Sequence, residues 1–256
     1  MPNFECMKGR LLLLIFLYLA TVLNAQNAFI TNQKSNPRVL NAFKHKNDSL
    51  KKQFERAHLS FPPKNIYLRS FKYESQLEVW VKPNSDDPYV LFKTYPVCAL
   101  SGTMGPKRMN GDFQVPEGFY FINEFNPNSS YHLSLGINYP NLSDLFLSDS
   151  IKPGNEIYIH GKCVTQGCIP IQDDKIEELY VLAAHAHAQG QDFIPVHIFP
   201  IRFHSEKSNV FFKKSTKQDP DYLRYANRLK EVYQYFEDSK RLPVITINTK
   251  GEYRFY

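Results

Sequence analysis

Two residue pairs near the middle of this 256-residue chain could together attack a carbonyl carbon. His160 is followed by Gly161, and eight residues after His160 comes Cys168, preceded by Gly167. A thiolate is the attacking form of cysteine, and a histidine within hydrogen-bond reach can take the thiol proton. A glycine before the cysteine removes side-chain bulk and leaves backbone N–H groups free to face an oxyanion. Because a lone cysteine is usually a small buried hydrophobe, the two pairs together, rather than Cys168 alone, favour catalysis.

The sequence around these pairs resembles the L,D-transpeptidases of the YkuD-domain class, whose signature is His-Gly, a spacer, and Ser/Thr-x-Gly-Cys. The matching residues are His160, Gly161, Thr165, Gly167 and Cys168. The spacer is short, which is similar to the YafK-type branch of that class. The resemblance covers about residues 61–203, and its other landmarks are Leu100–Lys107, Gly111–Tyr120, Ser130–Ser134 and Ile198–Phe203.

Two positions depart from the family pattern. Gln166 stands where many members have His, and Pro170 stands where many have Arg or Asn. If that Arg or Asn holds substrate elsewhere in the class, its role has no counterpart at Pro170.

The resemblance implies acyl transfer through a thioester on peptidoglycan stem peptides, at the carbonyl of the L-centre of a diamino acid. Cys168 would attack, and His160 would act as the base and later protonate the leaving amine. Backbone N–H groups of Gly167 and Cys168 would hold the oxyanion, Gly161 would permit a close turn, and Thr165 would orient the loop through its hydroxyl. No acidic residue nearby completes a triad, so we expect a backbone carbonyl to orient His160.

Tyr131 and His132 are weaker candidates, either for substrate contact or for packing at the end of a strand. Two other functions stay open. A hydrolase, as an L,D-carboxypeptidase or amidase, would pass the acyl group to water instead of an acceptor amine. A zinc-binding wall module would use His160, Cys163 and Cys168, but these supply only three ligands and no paired Cys-x2-Cys, so we expect neither metal nor cofactor.

The N-terminus has the pattern of a secretory signal peptide over residues 1–25. Lys8 and Arg10 precede the apolar run Leu11–Leu23, which is too short to span a bilayer comfortably, and Ala25 offers a cleavage point. We therefore expect export to the periplasm or cell envelope, with the membrane contacted only transiently through the signal peptide. The formal net charge of +6 includes no run of basic residues, so nucleic acid is not an expected partner.

Cysteine usage fits an oxidising compartment but leaves the pairing open. Removal of the signal peptide would leave Cys98, Cys163 and Cys168, an odd number, so one thiol must stay unpaired within the chain. Cys98 and Cys163 could pair and leave Cys168 free, but sequence alone does not show that their backbones are close enough.

Periodicity predicts the elements that must position these residues. Helical spacing predicts one or two helices in residues 26–60, and alternation from Ile66 to Val97 predicts antiparallel strands. The Asn-, Ser- and Pro-rich stretch from Asn123 to Asn155 predicts long loops, and Asp173 is expected to cap a helix ending at Gly190.

We predict a mainly β (α+β) fold, an L,D-transpeptidase-type β-sandwich catalytic domain with helical additions at both ends. The catalytic domain would span residues 61–204, and residues 205–256 would add a helix and a closing β-hairpin. With 43% hydrophobic residues, the chain is apolar enough to pack such a core.

Overall fold

The computed structural model describes residues 28–149, 151–216 and 219–256, so the predicted signal peptide lies outside the described residues. One mixed eight-stranded sheet has the strand order β3-β2-β1-β8-β4-β5-β6-β7. Its strands are β1 (Ile66–Phe71), β2 (Gln76–Val81), β3 (Val90–Pro96), β4 (Gly118–Asn126), β5 (Ser134–Ile137), β6 (Tyr158–His160), β7 (Ile169–Pro170) and β8 (Ile194–Phe199). β1 runs parallel to β8 and β6 runs parallel to β7, whereas the other neighbouring pairs are antiparallel.

Helices and a hairpin surround this sheet. The helices are α1 (Pro37–Arg56), α2 (Leu142–Leu147), α3 (Asp173–Ala188), α4 (Glu206–Ser215) and α5 (Pro220–Ser239), and residues 28–34 are helical as well. The antiparallel pair β9 (Ile245–Ile247) and β10 (Tyr253–Phe255) is the predicted closing hairpin. Local sequence starts the long helices, since Asn36 and Asp219 accept backbone N–H groups at the N-caps and a proline follows each.

Alternation along β1 divides the core between the two faces of the sheet. Ile66 and Leu68 belong to the cluster that includes α1 and α3, whereas Phe71 packs in the cluster that includes α5. Successive strand residues point to opposite faces, so one strand serves both clusters. Each fully buried side chain of this size stabilises the fold by roughly 1.5–3 kcal/mol.

The α+β fold class is confirmed. In detail, β1 to β8 form one sheet and β9 and β10 form a separate pair. Helices pack on both faces of the eight-stranded sheet and complete the two layers of core. The predicted long loops between Asn123 and Asn155 are wrong in part, because β5 and α2 lie within that stretch. Asn141 explains the difference, since its side chain and that of Asp144 form a capping box that starts α2.

Candidate active site

His160 is the last residue of β6, and its side chain is held in one tautomer. The residue is 1% exposed, and its Nδ1 lies 2.5 Å from Gly161 O. A carbonyl oxygen only accepts hydrogen bonds, so Nδ1 carries the proton and Nε2 keeps its lone pair. Burial lowers the pKa of His160, against a smaller raising effect of Gly161 O. The neutral imidazole thus keeps the lone pair of Nε2, and a backbone carbonyl orients the ring.

Tyr131 stacks on the His160 ring. The two ring centroids are 4.6 Å apart and the planes differ by 30°. Tyr131 is 43% exposed, so one face of its ring covers the imidazole while much of the residue stays open to solvent. Lys162 Nζ lies 5.9 Å from the centroid of the Tyr131 ring and donates to Ser130 O at 2.7 Å. The segment before β5 and the loop after β6 therefore enclose His160 together.

His132 makes its side-chain contact with a helix instead. Its Nε2 lies 2.8 Å from Glu177 Oε1 on α3, and its carbonyl accepts from Arg38 of α1 at 2.9 Å. The residue has a positive φ of 76°. These contacts hold the backbone next to Tyr131, and so act on the residue that covers His160.

Gly161 is required by space rather than by a turn. A Cβ at this position would lie 2.5 Å from Asp173 Oδ1 and 2.6 Å from Tyr131 O. Its own N–H donates to Leu133 O at 3.2 Å. The sequence analysis assigned Gly161 to a close turn, whereas the atoms that limit a side chain here belong to two neighbouring segments, at Asp173 and Tyr131.

Asp173 does not cap α3 as predicted. It is the first residue of the helix, and the N-cap position is occupied by Gln172, which makes no capping side-chain hydrogen bond. Asp173 Oδ1 instead accepts from the Lys162 N–H at 2.7 Å. The carboxylate thus fastens the loop that follows His160 to the start of α3.

Cys168 lies immediately before β7 and carries a free thiol. Its Sγ accepts from the Tyr158 N–H at 3.4 Å and lies 3.6 Å from Glu156 O, to which it donates. Burial raises the pKa of the Cys168 thiol, while the Tyr158 N–H and the charge of Lys107 act in the opposite direction. Burial therefore disfavours the thiolate of Cys168, as it disfavours the imidazolium of His160, and both pKa shifts favour a neutral pair.

Strand register places the backbones of the two candidate residues near each other. Ile159 pairs with Ile169 in the parallel β6–β7 ladder, so His160 follows one paired residue and Cys168 precedes the other. Ile159 and Ile169 are buried in the cluster with α3, and the side chain of His160, the next residue of β6, points to the opposite face. Cys168 precedes β7, and its Sγ lies beside the Tyr158 N–H of β6.

Thr165 organises the backbone around the thiol through its hydroxyl, as expected. Its Oγ1 donates to Cys168 O at 2.8 Å and accepts from the Gly167 N–H at 3.1 Å. The Gly167 N–H is therefore already engaged, which contradicts its assignment as an oxyanion donor and leaves the Cys168 N–H as the candidate. Gly167 has φ +123°, and a Cβ there would lie 2.8 Å from Gln114 O, so glycine is needed on both grounds.

A disulfide joins Cys98 to Cys163, with Cα atoms 5.6 Å apart. This bond resolves the pairing that the sequence left open. It fastens the loop between His160 and Cys168 to the segment after β3, where the Cys98 N–H also donates to Pro170 O at 3.0 Å. Because Cys163 is oxidised, it is not available as the thiolate ligand that the zinc alternative needs.

Pro170 is buried in β7 opposite His160. It offers no polar side-chain group to a substrate, so the role of the family's Arg or Asn is absent at this position.

Sequence reasoning missed Lys107, which is buried beside Asp112 with Nζ 2.6 Å from Oδ1 and whose charge acts on Cys168. The position of Lys107 within the family landmark Leu100–Lys107 was the available signal.

The structure therefore defines a mixed-sheet domain with a buried histidine at the end of β6 and a free thiol immediately before the neighbouring strand β7. Residues 74–198 match the family model of the YkuD L,D-transpeptidase catalytic domain. The chain is 32% identical over 190 residues to YafK of Escherichia coli (strain K12), a protein assigned by name only to the L,D-transpeptidases; the match covers 73% of this chain and 72% of YafK. The chain belongs to the L,D-transpeptidase family, a family of enzymes that work on cell-wall peptidoglycan.

Two solved structures are also similar to this chain. The helical cell shape determining protein Pgp2 from Campylobacter jejuni is 19% identical with a TM-score of 0.42, covering 72% of this chain and 73% of Pgp2. Bd1075 of Bdellovibrio bacteriovorus is 21% identical with a TM-score of 0.37, covering 69% of this chain and 64% of Bd1075. Across residues 28–149, 151–216 and 219–256, no helix is both long and apolar enough to cross a membrane.

Proposed function

We propose that the protein is an exported cysteine acyltransferase that acts on peptidoglycan stem peptides through a thioester on Cys168. The observation that supports the proposal is the hydrogen bond of His160 Nδ1 to Gly161 O, which leaves Nε2 unprotonated on β6, beside the strand that Cys168 precedes. Family membership supplies the substrate class, and the geometry supplies a base and a nucleophile.

The first half of the reaction forms the thioester. His160 Nε2 takes the Sγ proton as the sulfur attacks the amide carbonyl at the L-centre of a diamino acid in the stem. The Cys168 N–H donates to the resulting oxyanion, a contact worth roughly 3–4 kcal/mol of barrier in other enzymes. Collapse of the tetrahedral intermediate breaks the C–N bond, and the imidazolium protonates the departing amine.

The second half transfers the acyl group to an acceptor amine. His160 removes a proton from the amine as its nitrogen attacks the thioester carbonyl. The C–S bond then breaks, and the imidazolium returns that proton to Sγ, which restores the Cys168 thiol. Because burial favours the neutral thiol and the neutral imidazole, the Sγ proton moves to Nε2 as the sulfur attacks in the first half. The stacked ring of Tyr131 positions the imidazole for both transfers and extends towards the solvent side where a stem would enter.

Hydrolysis is the second candidate, and Pro170 is the observation that favours it. A transferase must hold a second peptide, whereas a buried proline supplies no group for that task. The argument for transfer from a long loop over residues 123–155 is weakened, since β5 and α2 take up part of that stretch.

Product analysis distinguishes the two. Purified muropeptides are incubated with the mature protein over a range of acceptor amine concentrations, and the products are identified by mass spectrometry, with Cys168→Ala as the control. Cross-linked dimers or amine-exchanged stems that increase with acceptor support transfer. Trimmed stems alone, unchanged by acceptor concentration, would instead assign a hydrolase.

Export is supported by the disulfide as well as by residues 1–25. Disulfides persist in oxidising compartments and are rare in reducing ones, and Cys98–Cys163 is such a bond. We expect N-terminal analysis of the envelope-derived protein to find the chain beginning after Ala25. A mature chain that retains Leu11–Leu23 would contradict removal and indicate a membrane anchor.

A further inference from the structure

A cavity of about 500 Å³ lies outside the candidate active site, where the loop around residue 107 meets the start of α5 and β10. Three tyrosines line it, and their hydroxyls are engaged by the protein. Tyr222 donates to Glu117 Oε2 at 2.8 Å, Tyr225 donates to Glu117 O, and Tyr253 accepts from Asn141 Nδ2 at 2.8 Å. Tyr253 is 3% exposed, so with the hydroxyls occupied the half-buried rings of Tyr222 and Tyr225 are what the tyrosines offer to a ligand.

Charged side chains share the cavity wall with the rings. The charged residues among the described lining are Arg108, Arg224, Arg228, Asp219, Asp221 and Glu252. Positive and negative groups are thus equal in number, which disfavours a strongly anionic or cationic ligand. Arginines and carboxylates together supply many donors and acceptors, as a neutral ligand rich in hydroxyl and amide groups would need.

The cavity and the candidate active site share one loop. Pro106 and Arg108 line the cavity, whereas the charge of Lys107 between them acts on the Cys168 thiol and lowers its pKa. Arg108 is held in place by Asp144, with Nη1 3.3 Å from Oδ1, and its guanidinium lies 5.1 Å from the centre of the Tyr225 ring. A ligand in the cavity would therefore lie across this loop from the nucleophile.

We propose that the cavity binds a sugar ring of the glycan strand to which the stem peptide is attached, a neutral N-acetylated hexosamine oligosaccharide. The proposal rests on the proposed function, because it is the stem at Cys168 that brings the glycan near. The C–H face of a pyranose packs on the tyrosine rings, while Arg224 and Arg228 donate to hydroxyl and acetamide oxygens. Their partners Asp221 and Glu231 keep both guanidinium groups close to α5.

Binding is measured in Cys168→Ala, which has no chemistry to complicate the titration. The probe is a β-1,4-linked tetramer of N-acetylglucosamine, which has no stem peptide. Its binding is measured by calorimetry. We expect saturable binding, weakened about tenfold or more in Arg224→Ala/Arg228→Ala, since a hydrogen bond to a charged group is worth roughly that much. Arg56→Ala is the matched control, because Arg56 is an exposed arginine at the end of α1, on the other side of the sheet. This variant should bind the tetramer as tightly as the parent protein does. Absence of saturable binding, or equal binding by the double variant, would overturn the proposal.

Kinetics with an intact Cys168 give the second measurement. Arg224→Ala/Arg228→Ala should leave turnover of a free stem peptide unchanged and raise KM for the same stem attached to its disaccharide. An equal loss on both substrates would show that the cavity serves the stem or the fold, and would overturn a glycan site. Saturable tetramer binding alongside an inactive wild-type enzyme would refute the proposed function and leave the glycan site standing.

Discussion

His160 and Cys168 reach the same resting state through burial, which acts on their titrations in opposite directions. A buried site disfavours whichever form is charged, so it lowers the pKa of the imidazole and raises that of the thiol. Both groups are therefore neutral at any pH between the lowered pKa of His160 and the raised pKa of Cys168. General-base catalysis at neutral pH needs this ordering of the two groups.

The pH dependence of alkylation tests that ordering. Iodoacetamide reacts with the thiolate, so labelling of Cys168 should rise with pH through a midpoint above the ordinary thiol value of 9.0. The value of kcat/KM should instead rise on the acid side, through a midpoint below the ordinary histidine value of 6.5, as His160 loses its proton. Cys168→Ala is the labelling control. Full labelling rate already at pH 6 would mean a preformed ion pair and would contradict the neutral site.

Gly161→Ala tests the close approach beside the base. The added Cβ would meet Asp173 Oδ1 and Tyr131 O at 2.5 and 2.6 Å, so the loop or the Tyr131 segment must move. A shift of about 1 Å in a catalytic group costs about 100-fold in rate, and we expect a kcat loss of that order. Gly136→Ala in β5 is the milder comparison, because its new Cβ would lie 3.0 to 3.1 Å from its nearest neighbours, which need to move by only a few tenths of an ångström. Equal kcat in the two variants would show that the spacing does not position His160.

Elements rather than single residues fix the catalytic loop. Three attachments hold residues 161–168: Asp173 at the start of α3, Thr165 within the loop, and the disulfide to the segment after β3. The Asp173 bond and the disulfide join the loop to two different parts of the molecule, whereas Thr165 ties the loop to itself. The loop's geometry therefore depends on the packing of α3 and β3 against the sheet.

The disulfide gives a prediction at this scale. Cys98→Ser and Cys163→Ser each open a loop of 65 residues, and we expect either to lower the free energy of unfolding by about 2–4 kcal/mol. The double variant should equal each single one, since all three lose the same bond. At temperatures and denaturant concentrations where the variant is still folded, Cys98→Ser should keep its catalytic activity, because Cys98 contributes no reacting group. Additive losses in thermal or denaturant unfolding would show that the two cysteines act separately.

At the scale of the whole molecule, sequence predicted the parts that carry local signals. The His-Gly and Gly-Cys pairs predicted the candidate site, helical spacing predicted a helix within residues 26–60, and the C-terminal segment predicted the closing hairpin. Strand order was not predictable, because β8 inserts between β1 and β4 through pairings distant in sequence. The Tyr131–His160 stack and the Asp173–Lys162 bond depend on that arrangement, and no spacing along the chain announces them.

The predicted boundaries of the catalytic domain and of its helical additions remain proposals. The catalytic domain predicted as residues 61–204 shares its core with flanking elements, since α1 packs in one cluster of the sheet and α5 in another. A cut at either boundary would expose a buried face. The helical additions are thus better described as parts of the core than as separate appendages.

Trapping the acyl-enzyme is the most direct test of a thioester on Cys168. The mature protein is mixed with a stem tetrapeptide, quenched in acid within a single turnover, and analysed by intact mass and peptide mapping. We predict an acyl adduct on Cys168 in the wild-type protein, none in Cys168→Ala, and an adduct that forms at least ~100-fold more slowly in His160→Ala because the base is lost. Turnover of the stem by Cys168→Ala, or an adduct mapped to another residue, would contradict the account.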